Sequence, residues 1–307
     1  EVMVSYESSE RCCSPPTFGR FGAVAKFDEK ADWASEARRY YLNIVGKYGP
    51  QVQALLKKAA ALDIATICPL HGPVLTGDLG KYLAYYDTWS SYKPEEPEKI
   101  LVASASIHGH TRAAAHTMAE KLRAQGAKVV EMDLTRTDVS YAVTEAFRCG
   151  KIVLACATYD GFLFPPMESL LTHLKTKAFQ NRTVGLMENG TWAPMAAKLM
   201  RAELEGMKNI TVCENVVTVR SAANAAAEAQ MDALADEIVA KVSPKMRVKS
   251  EKTSCPHTGC DKITRYAGSF FIGVQDCSER TESALWNRKS NYLICASTAA
   301  MSPSKRQ

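Results

Sequence analysis

Residues 99–242 alternate between apolar runs and helical patterns, and this alternation constrains the fold more than any other feature of the chain. Parallel strands need crossover connections, which are usually helices, so a regular alternation predicts a doubly wound, five-stranded parallel sheet in an α/β fold. Nearly continuous apolar runs indicate strands that are covered on both faces. The predicted strands are Ile100–Ala105, Lys128–Met132, Ile152–Ala157, Thr183–Met187 and Ile210–Val219. The predicted helices are Arg112–Gln125, Tyr141–Cys149, Met167–Lys175, Pro194–Met207 and Ala223–Val242.

The loop after the first predicted strand has the composition of a phosphate-binding loop. It consists of Ser106, Ile107, His108, Gly109, His110 and Thr111, directly before a predicted helix. N–H groups at a helix N-terminus are unpaired and carry partial positive charge, so they bind phosphate without lysine or arginine. The loop has neither the Gly-Lys-Ser/Thr of a P-loop nor the glycine spacing of a dinucleotide fingerprint. It therefore predicts a site for a terminal monophosphate, as on FMN. The alternative is a hydroxyl-rich helix cap without a ligand.

Two further loops follow strands of the same predicted sheet, and each carries an aromatic residue, a glycine and small polar residues. One contains Thr158, Tyr159, Asp160 and Gly161, and the other contains Asn189, Gly190, Thr191 and Trp192. Ligands of such sheets bind at the carboxyl ends of the strands, where the strand order reverses. Tyr159 and Trp192 are therefore expected to flank a planar ring. The alternative is a pair of half-buried aromatic residues at a domain edge.

Length, charge and cysteine usage narrow the class of protein. The 307 residues are enough for about two domains. The formal net charge of +5 is small and no basic face stands out before the last residues, so no nucleic-acid partner is expected. No apolar run approaches the roughly 18 residues that span a bilayer, so no membrane segment is expected. Several of the ten cysteines lie in apolar runs, which suits a reducing cytoplasm. The first residues resemble no signal peptide, and we expect the chain to begin inside a longer gene.

The pattern along the chain predicts four segments: 1–92, a linker over 93–98, a domain over 99–243, and a tail over 244–307 without an assigned domain. Two prolines and a run of charges predict that the linker is stiff. Helices with a break at Gly49-Pro50 are predicted for 33–62, and a strand for 64–68. In the tail, Cys255, His257 and Cys260, followed by Cys277 and Cys295, suggest zinc. Their spacing is not that of paired zinc knuckles, which favours cysteines without a metal.

Several motifs resemble the flavodiiron proteins, also called A-type flavoproteins, over roughly residues 18–242. They are the three loops above together with Phe18–Gly22, Glu36–Tyr41, His71–Pro73 and Tyr86–Tyr92. The resemblance implies a flavodoxin-like domain that binds FMN through those three loops. It also implies that the C-terminal portion of a metallo-β-lactamase-like αββα domain precedes it, with His71 as a metal ligand.

The resemblance also implies a function for the complete protein. FMN would take electrons from a rubredoxin or similar donor and pass them to a non-haem diiron site that reduces O2 to water or NO to N2O. The family works as a head-to-tail homodimer. The His-x-Glu-x-Asp ligand motif of that family is absent from this sequence, and Pro16 stands about where an aspartate ligand is expected. The run Arg11–Thr17 is compatible with a one-base difference in reading frame, which is a hypothesis.

We therefore predict a chain that binds FMN and accepts electrons but cannot assemble a complete diiron site. The acidic residues near the first helix are interpreted as solvated charges at a helix start rather than ligands: Asp28, Glu29, Asp32 and Glu36. Two other functions stay open. One is a flavodoxin-like redox carrier without terminal reductase activity, and the other is a metal-dependent hydrolase. Only one histidine, His71, precedes the linker, which counts against the hydrolase.

Overall fold

A computed structural model describes residues 5–7, 11–22 and 33–241. The strands are β1 (Ser5–Glu7), β2 (Cys12–Ser14), β3 (Thr66–Ile67), β4 (Glu96–Ala105), β5 (Val129–Asp133), β6 (Cys149–Tyr159), β7 (Phe162–Leu163), β8 (Arg182–Asn189) and β9 (Ile210–Val219). The α-helices are α1 (Trp33–Tyr40), α2 (Gly49–Ala59), α3 (Gly80–Ser90), α4 (His110–Ala124), α5 (Val139–Arg148), α6 (Pro165–Thr176), α7 (Ala196–Glu205) and α8 (Ala225–Ala240). A π-helical turn, Tyr41–Val45, continues α1.

The larger sheet has the strand order β5-β4-β6-β8-β9, and all four neighbouring pairs are parallel. The short strand β7 pairs antiparallel with β6. This is the flavodoxin-like order, in which the direction of winding reverses between β4 and β6. The predicted α/β fold with a mostly parallel sheet is confirmed.

Successive residues of β4 enter two different hydrophobic cores. Ile100 and Val102 belong to the cluster that contains Met118 of α4 and Leu234 of α8. Leu101 belongs to the cluster on the other face, which α5, α6 and α7 cover. Because both faces of the sheet are covered by helices, the strand needs apolar side chains at consecutive positions. This is the physical reason for the continuous apolar runs in the sequence.

Local chemistry explains where several of these helices begin. Gly109 precedes α4 with φ of +93°, a conformation that glycine adopts without strain. Asp138 accepts the N–H of Ser140 at 2.9 Å and caps α5. Asn224 accepts the N–H of Ala227 at 3.0 Å and caps α8. Each cap satisfies a donor that the helix itself leaves unpaired.

The N-terminal part contains a small sheet, in which β2 pairs antiparallel with β1 and parallel with β3. Its core is rich in aromatic rings. The ring of Tyr86 lies 5.5 Å from that of Tyr41 and 4.9 Å from that of Trp89, centroid to centroid. These residues belong to the same hydrophobic cluster as the α5–α7 face of the larger sheet. The helical path is interrupted at Gly49, where α2 begins, and Pro50 lies in its first turn, where proline is tolerated.

The segment predicted as a linker differs from the prediction. Strand β4 begins at Glu96 rather than at Ile100, so residues 96–98 are part of the sheet. Their charges have partners there, because Glu96 pairs with Arg148 at 2.8 Å and with Lys99 at 3.2 Å. The run of charges therefore belongs to the start of a strand, where the charges form ion pairs. Composition alone does not distinguish such a strand start from a linker.

The connection before β4 contacts both the N-terminal part and the larger sheet. Glu95 accepts the indole N–H of Trp89 at 2.7 Å and binds the Arg38 guanidinium through both carboxylate oxygens. The carbonyl of Tyr92 accepts a hydrogen bond at 2.9 Å from the fully buried Arg182. These contacts tie the connection to the N-terminal part and to the larger sheet.

Some of the predictions lie outside the described residues. They concern the tail over 244–307, with Cys255, His257 and Cys260, and the acidic residues Asp28, Glu29 and Asp32. Glu36 is described, and it pairs with Arg39 at 2.6 Å. No helix within the described ranges is long and apolar enough to cross a membrane.

Candidate functional site

The loops that follow β4, β6 and β8 meet at one edge of the sheet and enclose two adjoining cavities. They meet because neighbouring parallel strands all end at the same edge. The cavities have volumes of about 210 and 510 Å³, and Thr158, Gly190 and Thr191 line both of them. The smaller cavity is also lined by Ser106, Ile107, His108, His110, Thr111, Ala157, Asn189 and Ser221. The larger is also lined by Asp160, Gly161, Trp192 and Ala193.

The smaller cavity lies at the N-terminus of α4. The hydroxyl of Ser106 accepts the N–H of Gly109 at 2.9 Å, which folds the loop back toward the helix. The first intrahelical bond at this end runs from the N–H of Ala113 to the carbonyl of Gly109 at 2.9 Å. The N–H groups of the residues before Ala113 have no acceptor within the helix, and they lie at the end of α4 that borders the smaller cavity. In the described part of the chain no lysine or arginine lines this cavity, and Arg112 instead pairs with Asp133 at 3.3 Å.

The larger cavity lies between the β6–β7 turn and the loop after β8. Asp160 and Gly161 form the turn with φ of +51° and +73°, as in the two-residue hairpins that favour Asp-Gly. Trp192 lines the cavity with 93% of its surface exposed. Tyr159 does not line either cavity, and its ring lies 5.8 Å from the ring of Phe164. The structure therefore offers one aromatic wall at this cavity, from Trp192.

The loop after β8 is held in place by polar side chains below it. The hydroxyl oxygen of Thr158 accepts the N–H groups of Met195 and Ala196 at 3.0 and 3.3 Å. The buried carboxylate of Glu188 accepts the N–H of Ala197 at 2.9 Å. These acceptors satisfy the N–H group of Met195, which precedes α7, and those of the first two residues of α7. Thr158 was predicted to contact the ligand, and its side-chain oxygen is engaged in fixing the neighbouring loop.

Ser221, after β9, is a lining residue that the sequence did not indicate. Its carbonyl accepts the amide N–H of Asn189 at 2.9 Å, and its own N–H donates to the amide oxygen of Asn189 at 3.1 Å. Its hydroxyl lies 3.3 Å from Nδ1 of His110. Ser221 has no neighbouring glycine or aromatic residue, so the sequence around it forms no recognisable ligand-binding motif. Its position at the carboxyl end of the fifth strand was the available signal.

His71, the predicted metal ligand, lies at the surface of the N-terminal part. It is exposed, its carbonyl accepts the N–H of Arg20 at 2.6 Å, and its ring centroid is 6.0 Å from that of Tyr40. A diiron site needs several histidine and carboxylate ligands around two ions. Within residues 11–22 and 33–241, no group of three or more possible ligands includes His71. These residues do not fit a diiron site.

The described residues contain one group of three possible metal ligands, on the exposed surface of α4 and β5. It consists of His116, Glu120 and Glu131. Arg123 contacts both carboxylates, at 2.5 Å for Glu120 and 2.7 Å for Glu131. The Arg123 guanidinium therefore already compensates the negative charge of the two carboxylates that would attract a metal cation.

The cavity lining provides groups that can bind a ligand, namely hydroxyls, histidine side chains and one indole ring. The thiol nearest the site along β6 belongs to Cys156, and burial raises its pKa to about 12, so it stays protonated at neutral pH. Asp160 occupies a turn position, where aspartate is common for conformational reasons. Backbone N–H groups, hydroxyls and one indole ring suit a ligand with a phosphate and a planar ring.

The strand order and the cavities at the carboxyl edge of the sheet define a flavodoxin-like α/β protein. No protein-family model matches the chain. A nitric oxide reductase from Moorella thermoacetica is 25% identical over 228 residues, which are 72% of this chain and 56% of that relative. The chain spans 35% and 56% of the lengths of the first two curated relatives that it matches.

Two solved structures share the fold. The rubredoxin oxygen:oxidoreductase from the anaerobe Desulfovibrio gigas has a TM-score of 0.71 at 24% identity, covering 77% of this chain and 60% of that one. The flavodiiron protein from Giardia intestinalis has a TM-score of 0.67 at 20% identity, covering 76% and 59%. The chain is thus similar to flavodiiron proteins over about 75% of its length, and the predicted resemblance is confirmed.

Proposed function

We propose that this chain binds FMN and transfers electrons through it, as part of a flavodiiron-type oxidoreductase. The observation that carries the proposal is the adjoining pair of cavities that share Thr158, Gly190 and Thr191. The smaller one suits a monophosphate because the start of α4 supplies N–H donors. The larger one suits a planar ring beside Trp192. FMN supplies the redox chemistry when bound, and the protein supplies binding and orientation.

Each loop has a distinct role in this proposal. Ser106 holds the phosphate loop through its bond to the N–H of Gly109. Gly190 lets the third loop fold closely, because a Cβ atom there would lie 2.9 Å from Cα of Pro194. Trp192 presents an exposed ring that would stack on one face of the flavin. Asn189 holds the loop after β9 against the phosphate side.

For the complete protein we infer that electrons pass beyond FMN to a terminal acceptor. We also infer that the protein works in the cytoplasm. The names of two relatives, a nitric oxide reductase and a rubredoxin oxygen:oxidoreductase, support a rubredoxin-type donor and reduction of O2 to water or NO to N2O. A head-to-tail homodimer belongs to the same proposal. The described residues do not fit a diiron site, so the terminal reaction is proposed for the complete protein only. For the same reason a metal-dependent hydrolase has no support among them.

A redox carrier without terminal reductase activity is the second candidate. The exposed, isolated position of His71 favours it. The two candidates differ in where the electrons go once reduced rubredoxin has reduced the flavin. A carrier passes its electrons to cytochrome c without consuming NO. A reductase consumes NO under anaerobic conditions at a rate proportional to its iron content.

Titration of the purified chain with FMN and with riboflavin tests the phosphate loop. Riboflavin lacks only the phosphate, so the ratio of the two dissociation constants measures what the start of α4 contributes. We expect tighter binding of FMN. Ser106→Ala should weaken FMN binding about 10-fold, since one hydrogen bond that shapes the loop is lost, and should leave riboflavin unchanged. Equal affinities for FMN and riboflavin in the wild-type chain would contradict the proposal.

Substitution of the exposed tryptophan tests the ring cavity. Trp192→Ala should weaken FMN and riboflavin equally, by about 10-fold, because a ring stacking contact contributes about 1–1.5 kcal/mol. Phe162→Ala is the matched control. This aromatic side chain is 68% exposed on the β6–β7 hairpin beside the larger cavity but lines neither cavity. Loss of affinity in the control alone would place the ring elsewhere.

A further inference from the structure

Two cysteines in the N-terminal part lie with their sulfur atoms in contact. Sγ of Cys12, on β2, is 3.2 Å from Sγ of Cys68, which directly follows β3. Both side chains are partly exposed, and neither forms a disulfide in the structure. A disulfide bond is about 2.0 Å long, so the two atoms would need to approach by about 1.2 Å. A small rotation of two side chains can supply such a movement.

The strand register explains why these two thiols meet. Cys12 lies opposite Thr66 and Cys13 lies opposite Ile67 in the parallel pair β2–β3. Because side chains alternate between the two faces of a sheet, Cys12 and Cys68 share one face. Cys13 points to the other face and is buried in the structure. The backbone around the pair is fixed, since the N–H of Cys68 donates to the carbonyl of Cys13 at 2.8 Å.

We propose that Cys12 and Cys68 form a reversible intramolecular disulfide by exchange with a small-molecule disulfide such as glutathione disulfide. The thiolate of one cysteine attacks a sulfur of glutathione disulfide, and one glutathione leaves. The second protein thiolate then attacks the protein sulfur of the mixed disulfide, and a second glutathione leaves. The protein pair loses two electrons and two protons. Glutathione disulfide gains them and becomes two glutathione thiols.

The other described cysteines lack the conditions for this reaction. A buried thiol stays protonated and is reached poorly by a reagent in solution. Burial raises the pKa of Cys13, and the nearby Cys68 raises it further. Burial also raises the pKa to about 12 for Cys149, Cys156 and Cys213. Exposure and a partner within reach therefore coincide at Cys12 and Cys68.

The disulfide would fix the base of two loops. One loop follows β2 and leads to Arg20, and the other follows β3 and contains His71. They already touch through the N–H of Arg20 and the carbonyl of His71 at 2.6 Å. In a reducing compartment such bonds are transient and respond to the thiol–disulfide balance. The loop closed between residues 12 and 68 is long, so oxidation should raise the midpoint of thermal unfolding by at least about 5 °C.

The experiment uses the full chain, reduced with dithiothreitol, freed of reductant and incubated with glutathione disulfide. After alkylation and tryptic digestion, mass spectrometry should find the peptide 12–20 linked to the peptide 59–81. Renewed reduction should separate them. Peptide 12–20 contains two cysteines, so Cys13→Ser is the matched control and should keep the link. Cys12→Ser should abolish it and leave a glutathione adduct on Cys68.

Two outcomes would overturn the proposal. One is glutathione adducts on wild-type Cys12 and Cys68 without a link between them. The other is a link that persists in Cys12→Ser, which would make Cys13 the partner. If a serine variant fails to fold, the wild-type chain still decides, because its thermal midpoint must rise with glutathione disulfide and fall again with dithiothreitol. None of these readouts depends on flavin, so this proposal and the proposed function can fail separately.

Discussion

The two halves of the described chain handle their candidate functional residues in opposite ways. In the flavodoxin-like half, residues from four loops that are distant in sequence line two adjoining cavities. In the N-terminal half, the single candidate ligand His71 is exposed and belongs to no group of possible ligands within the described ranges. The flavodoxin-like half forms a candidate site from its own loops. The N-terminal half contributes one candidate metal ligand, without further candidate ligands grouped around it in the described ranges.

The difference follows from topology. A parallel sheet brings every strand's carboxyl end to one edge, so consecutive strand–loop units contribute to the same site. The small sheet of the N-terminal half contributes three short strands and packs beneath an aromatic core. Consecutive strand–loop units of one sheet can therefore form the candidate ligand site, while a diiron site needs several histidine and carboxylate ligands that are brought together around two ions. Four substitutions put this contrast to the test.

The largest effect is expected where the two halves are joined. Burial lowers the pKa of Arg182 to about 9, yet its guanidinium has four backbone carbonyls as acceptors. The carbonyls belong to Tyr92 before β4 and to Phe147, Gln180 and Asn181 in the flavodoxin-like half. Arg182→Met leaves them without this donor and should lower the free energy of unfolding by about 3–5 kcal/mol.

Urea unfolding followed by circular dichroism and by tryptophan fluorescence measures this effect. Trp33 and Trp89, the buried tryptophans among the described residues, lie in the N-terminal half, and both techniques should give one shared, lowered midpoint. Arg201→Met is the control, because its guanidinium donates to the carbonyl of Cys213 at 2.9 Å and the loss should be about 1 kcal/mol. Two separate transitions in Arg182→Met would mean that the halves unfold independently.

A smaller, pH-dependent effect is expected at Glu237 on α8. Burial by itself raises the pKa of this carboxyl group, but hydrogen bonds from Lys241 and from the N–H groups of Glu214 and Asn215 lower it to about 2. Because the folded pKa lies below the usual 4.5, this stabilisation is present above pH 4.5 and is lost as the pH falls toward 2. Glu237→Gln should cost about 2 kcal/mol at pH 7 and nothing near pH 2.

Denaturant melts of Glu237→Gln and wild type at several pH values between 2 and 7 check this expectation. Asp236→Asn is the control on the neighbouring residue of the same helix. A constant difference across the whole range would show that the glutamate acts through packing rather than through its charge. Such a result would contradict the stabilisation by the carboxylate, which accepts the N–H groups of Glu214 and Asn215 where the register between β8 and β9 shifts.

A moderate effect on ligand affinity is expected at Asn189. Its amide holds Ser221 through two hydrogen bonds, so Asn189→Ala should release the loop after β9 and weaken FMN binding about 5-fold. Asn43→Ala provides the contrast in the N-terminal half, where the Asn43 amide donates to the carbonyl of Arg39 at 2.8 Å. It should reduce stability without changing the affinity for FMN. Fluorescence titration with FMN measures both affinities. Equal losses of affinity in Asn189→Ala and Asn43→Ala would contradict the expected difference between the two halves.

The smallest effect is expected at His71. Its side chain is exposed, so His71→Ala should change the free energy of unfolding by less than about 0.5 kcal/mol and leave FMN affinity unchanged. Metal analysis by plasma emission should give the same iron content for wild type and variant. About two irons per wild-type chain, lost on substitution, would reverse the contrast between the halves.

Much of the flavodoxin-like half could be predicted because its signals are local. The helix starts at Gly109 and Asp138 have the residue types that caps require, and the Asp160–Gly161 turn has the residues its backbone conformation favours. The orientation of Tyr159 could not be predicted, since it depends on which side chains meet across loops. Ser221 was missed because its position after the fifth strand was the one signal that pointed to it. The charges at 96–98 were assigned to a linker because two of their ion-pair partners, Arg148 on α5 and Lys151 on β6, are distant in sequence.

The sequence by itself determined the strands, the crossover helices and the three loops, because apolar periodicity and turn chemistry act over a few neighbouring residues. Only the tertiary structure decided that the loops share two cavities, that His71 stands apart and that Cys12 meets Cys68. Those facts depend on strand order and register, which bring together residues far apart in the chain. No local pattern encodes a distance of that kind.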